Sequence, residues 1–143
     1  MCSDENITVN NESIIINNKT KKIIINEKGD SICIDANNRA QFDKIRSFAN
    51  TFVDKYNKLD SDPTEQNIED ICMFFETSFE DIFGPGIVNK IFSIDKPSIR
   101  LITLFTIEFI KKFSEFNNEC DQSMIKHIEE NFGQKYLQNS KLR

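Results

Sequence analysis

Few residues of this 143-residue chain have chemistry to offer, and their spacing argues against most of it. His127 is the sole histidine, so no His pair can share a proton or a metal ion. The cysteines, Cys2, Cys33, Cys72 and Cys120, lie far apart without a CxxC pair and read as four free thiols. Asp60-Ser61-Asp62-Pro63-Thr64 starts like a calcium loop, but Glu65 stands where the loop needs Gly and Ile71 where it needs the bidentate Glu. Glu69, Asp70, Glu76, Glu80 and Asp81 have no His, Cys or Gly-rich neighbour to complete a metal or phosphate site, and read as a solvated acidic face. GxSxG, GxGxxG and GxxxxGK[ST] are absent, and four glycines leave little material for a phosphate cradle. Binding is the chemistry that remains. On the acidic helix over 63–83, Met73 and Phe74 fall off the buried stripe, and with Glu76, Glu80 and Asp81 they form the expected protein-binding surface. No catalytic residue, metal or cofactor is expected.

Charge sharpens this reading. The net charge is −5 and the sequence pI about 5.0, which leaves no surplus of Lys and Arg to displace phosphate counterions. Residues 60–95 carry nine acidic residues and one basic, −8 in all, a segment suited to steering a basic partner. The first residues lack the basic and apolar regions of a signal peptide, and no apolar run approaches the ~20 residues that span a bilayer. The chain is therefore expected in the cytoplasm with reduced thiols, bound to neither nucleic acid nor membrane.

These residues are positioned by an α+β chain. A flexible N-terminus over 1–12 precedes three runs of β-formers at 13–17, 22–26 and 31–35, read as a three-stranded antiparallel meander. The triple isoleucines at 14–16 and 23–25 do not alternate, so they leave the buried face open. From Asn38 the period becomes helical, and four main helices follow as a bundle over 38–138. The first has Phe42, Ile45, Phe48 and Phe52 on one face, with Asn38 and Gln41 placed as a capping box. Asp62 before Pro63 starts the second, with Ile71, Phe75 and Phe79 in its stripe and Gly84 as a left-handed stop. A short segment over 87–92 packs under the core. A third helix from Pro97 to about residue 117, apolar around most of its circumference, is read as the central one. Asp121 caps the last. Residues 13–138 form a single domain and 139–143 a polar tail.

Two stretches together carry a resemblance: IIINEKGDSICID over 23–35, and FEDIFGPGIVNKIF over 79–92. The second carries it through Phe79, Asp81, Phe83, Gly84, Gly86, Lys90 and Phe92, with Pro85 between the glycines as its departure. It resembles the small, tail assembly chaperone-like proteins encoded in tail modules of phages and phage-derived particles of low-GC Gram-positive bacteria. That resemblance implies a noncatalytic protein of the host-cell cytoplasm that binds tail tube or tape-measure proteins during tail morphogenesis. An alternative is a structural component retained in the assembled particle, joined to a neighbour by strand pairing, with self-association allowed.

Overall fold

The computed structural model describes residues 6–7, 16–17 and 19–141, with side chains described over 19–122 and 124–126. It is α+β, with small antiparallel sheets ahead of the helices. Strand β1 (Asn6–Ile7) pairs with β2 (Ile16–Asn17), and β3 (Thr20–Ile24) pairs with β4 (Ser31–Asp35) in a separate two-stranded sheet. The expected three-stranded meander is therefore not formed. The first predicted strand falls largely outside the described residues, its last two residues joining β1 instead. The second predicted strand is displaced toward the N-terminus, because the Asn26–Asp30 turn takes the residues that would have extended it. In that turn Asn26 Oδ1 accepts from the Asp30 amide at 3.1 Å, Asn26 Nδ2 donates to Asp30 Oδ2 at 2.8 Å, and Gly29 sits at φ +88°. The register Ile23↔Ile32 and Lys21↔Ile34 puts Ile32 and Ile34 into the core and leaves Ile24 exposed, settling the face that the triple isoleucine left open.

Helix α1 (Arg39–Ser61) starts as expected: Asn38 Oδ1 accepts from the Gln41 amide at 3.0 Å. The reciprocal half of the box is not made. Gln41 instead reaches the strand, its Oε1 accepting from the Asp35 amide at 2.8 Å and its Nε2 donating to the Cys33 carbonyl at 2.9 Å. Asp62 ends α1 rather than capping the next helix, since a residue ahead of proline is pushed out of the helical region. The cap of α2 (Glu65–Phe83) is Thr64, whose hydroxyl accepts from the Asn67 amide at 3.1 Å, and buried Asn67 closes the corner by donating to the Asp62 carbonyl at 2.8 Å. Gly84 closes α2 at φ 106° with ψ 161°, an extended rather than left-handed helical geometry; Gly86, at φ 84° and ψ −2°, is the left-handed one and opens the short α3 (Ile87–Phe92).

Helix α4 (Ile99–Lys141) runs without a break where two helices are expected. Asn117 and Asp121 lower helix propensity by less than about 1 kcal/mol each, and no Gly or Pro stands between them to stop propagation, so Asp121 lies inside a helix instead of capping one. Among the described residues three long helices and one short replace the four expected. Nor is α4 buried on most sides: Ile102, Thr106, Phe109, Phe113 and Phe116 are buried, whereas Leu101, Leu104 and Ile107 are exposed.

The chain divides into two compact units, residues 1–110 and 111–143. The second contains the C-terminal part of α4. The first is built on stacked and edge-to-face phenylalanines. Phe79 is its hub, with ring centroids 4.6 Å from Phe75, 5.0 Å from Phe109, 5.2 Å from Phe48 and 5.5 Å from Phe105. Cys33 is disulfide-bonded whereas Cys72 and Cys120 form no disulfide, which corrects the expectation of four free thiols. Among the described residues no helix is long and apolar enough to cross a membrane.

Candidate binding groove

Helix α2 buries Ile71, Phe75 and Phe79 on one side, and the same 3.6-residue period brings Glu69, Cys72, Met73 and Glu76 together on another. Lys96 and Pro97, ahead of α4, supply the facing wall of a groove of about 580 Å³ that Thr77 also lines. Met73 is 59% exposed. Burial pushes the Glu76 carboxyl above its ordinary range; nearby Lys96 opposes the shift and Glu80 adds to it. The Cys72 thiol is also pushed up, first by burial and then by the charges of Glu76 and Glu69, so it is a poor nucleophile at neutral pH.

The five residues expected to form one binding surface are distributed over three environments. Met73 and Glu76 line the groove. Phe74 is half-buried on another flank, stacked on Phe48 with ring centroids 5.7 Å apart and with Lys55 Nζ 5.5 Å from its own centroid, so it does not form an exposed pair with Met73. Asp81 shares that flank and pairs with Lys44 at 3.1 Å; both groups border a smaller hollow of about 200 Å³. Glu80 works inside the fold: its Oε1 accepts from the Gly86 amide at 3.1 Å and its Oε2 from the Ile87 amide at 3.0 Å. That carboxylate bridges the Gly84-Pro85-Gly86 turn and satisfies donors at the start of α3.

Sequence reasoning missed Glu69 and Cys72 as groove residues, although the spacing of four from Glu69 to Met73 and from Cys72 to Glu76 was available as a signal. Lys96 and Pro97 gave none, because only the tertiary fold brings them to α2. A further apolar hollow of about 320 Å³ lies between Tyr56 and Leu59 of α1 and Ile99, Arg100, Thr103 and Leu104 of α4. Leu104 and Ile107 are each 56% exposed, and Val53 and Tyr56 are exposed as well. Among the described residues no group of three His, Cys, Asp or Glu is placed to hold a metal ion, and the side chain of His127 lies outside them.

Residues 28–142 match DUF6673, a family of unknown function. The chain belongs to that family. The DUF6673 match starts within the β3–β4 turn and takes in β4, the groove and all of α4, while β1 to β3 precede it. No curated protein and no solved structure matches the chain.

Proposed function

We propose that this protein is a noncatalytic phage tail assembly protein that binds tail tube or tape-measure proteins in the host-cell cytoplasm and shields their apolar surfaces until they assemble. The observation that carries the binding part is the apolar hollow between Tyr56 and Leu59 of α1 and Ile99 and Leu104 of α4, where Tyr56 and Leu104 are exposed. An apolar hollow open to water offers a surface that another protein can cover. The tail assignment rests on the resemblance over 79–92. Its two glycines both adopt positive φ, at 106° and 84°, on either side of Pro85, so the pattern corresponds to a built turn that Glu80 braces.

Co-expression with the tail tube and tape-measure proteins of the same particle tests the reading. The soluble fraction of at least one is expected to rise, and Leu104→Glu combined with Ile107→Glu to abolish the rise while far-UV circular dichroism is unchanged. No binding to any tail protein would defeat it. A reducing cytoplasm opens disulfides, so the proposal also requires that reductant at the Cys33 bond leave the circular dichroism spectrum intact.

The structural alternative is favoured by one observation. Among the described residues the β3–β4 sheet has two strands, so each strand keeps an edge outside that sheet, and Ile24 at the end of β3 is 64% exposed. Fixed stoichiometry in purified particles would select this alternative over transient chaperoning.

A further inference from the structure

We propose that the groove between α2 and the turn ahead of α4 docks a basic amphipathic segment of a protein partner, with cations against Glu69 and Glu76 and an apolar side on Met73. This deepens the binding reading above and rests on it for the partner being a protein.

Charge complementarity selects the occupant. Helix α2 carries six carboxylates and no basic residue. Three are already engaged: Glu80 with the α3 amides, Asp81 with Lys44, and Asp70 as acceptor from Gln66 Nε2 at 2.9 Å. Glu69 and Glu76 both line the groove; seven residues apart, they sit two turns along one helix face, roughly 10 Å in rise. Met73 lies between them, an unbranched and polarisable side chain that adapts to different apolar partners. Burial has already raised the Glu76 carboxyl, so its charge is under-compensated where it stands, and an incoming cation gains more there than at a solvated carboxylate. An acidic or uniformly apolar segment would leave that charge worse off.

Lys96 gives the site a property that a merely acidic surface lacks. Among the described residues it is the sole cation lining the groove, and it acts on Glu76 in the direction a partner's cation would. Lys96 is therefore an internal competitor, and removing it should strengthen docking while removing the carboxylates weakens it.

Fluorescence anisotropy with a short synthetic peptide of Leu and Lys at helical spacing, and a twin with Glu in place of Lys, tests the proposal. The Lys peptide is expected to bind and the Glu twin not. Glu69→Gln and Glu76→Gln should each weaken binding about two- to fivefold, the span of exposed charge pairs, and Lys96→Gln should tighten it by a similar factor. Asp81→Asn should change nothing. Bound Lys peptide should also slow alkylation of Cys72 by N-ethylmaleimide. Wild-type affinity in the double Gln variant, weaker binding in Lys96→Gln, or unprotected Cys72 in the complex would each overturn the groove. The two readings fail separately. Tail proteins still solubilised by a double Gln variant that no longer binds peptide would remove the groove as their site, whereas peptide docking with no tail-protein partner would remove only the tail assignment.

Discussion

The two sides of α2 are made from neighbouring residues and have opposite physical characters. Phe75 and Phe79 are fully buried in an aromatic cluster that fixes the helix against α1 and α4, whereas Glu69, Met73 and Glu76 border an open groove in which the charge of Glu76 is held at a disadvantage. One side was made to be satisfied within the chain and the other was not. The lesson is that an acidic helix cannot be treated as a uniform surface. Of its carboxylates, Glu80 is part of the fold, Asp81 is paired, and Glu69 and Glu76 line the groove.

The contrast breaks first if the aromatic side is not the source of stability. Phe79→Ala is expected to cost ~3–5 kcal/mol, the range for emptying a buried Phe site, read from urea midpoints. Phe105→Ala should cost less, because Phe105 is only half-buried. Next is Glu80→Ala, which strips the acceptor from the Gly86 and Ile87 amides and should cost about 1–2 kcal/mol; a value near zero would return Glu80 to the binding surface. Thr106 sharpens the comparison from within the core: its Oγ1 is buried with no hydrogen-bond partner among the described residues. Thr106→Val should therefore raise stability, by about 1 kcal/mol.

The smallest effect belongs to Glu76. Its carboxyl keeps a proton to higher pH in the folded than in the unfolded state, so the folded state binds more protons as pH crosses that window, and stability falls as pH rises through it. The cost persists at neutral pH and disappears where both states are protonated. Glu76→Gln should stabilise the fold at pH 7 by no more than about 0.5 kcal/mol, since solvent screens the site, and have no effect near pH ~3.

Helical positions were legible because buried phenylalanines repeat at a period that only one secondary structure satisfies: Phe42, Ile45, Phe48 and Phe52, then Ile71, Phe75 and Phe79, all buried as read. The sheets were less so. Isoleucine triplets have no alternation, so side-chain bonds of Asn26 and Asp30 set the hairpin rather than its hydrophobic pattern. Position 121 misled because an aspartate suited to capping is also tolerated within a helix that nothing stops. The candidate surface was half legible. Charge and the exposure of Met73 follow from α2 alone, while the stacking of Phe74 on Phe48, the bracing by Glu80 and the arrival of Lys96 need contacts between elements.

Asn26 uses its remaining hydrogen-bonding capacity far from its own hairpin: its Nδ2 also donates to the Lys90 carbonyl at 2.8 Å, across a separation of 64 residues. Closing a chain loop of that size costs roughly 4 kcal/mol in entropy, more than one hydrogen bond returns. The hairpin is therefore expected to dock onto α3 only after the helices have brought Lys90 within reach, as a late folding event. The expected kinetic signature of Asn26→Ala is a folding rate near that of the wild type and a faster unfolding rate, read from the two arms of a chevron plot; slowed folding would mean that the hairpin belongs to the nucleus instead. The β3–β4 turn would then set how long the folded state lasts, and the phenylalanines how quickly it is reached.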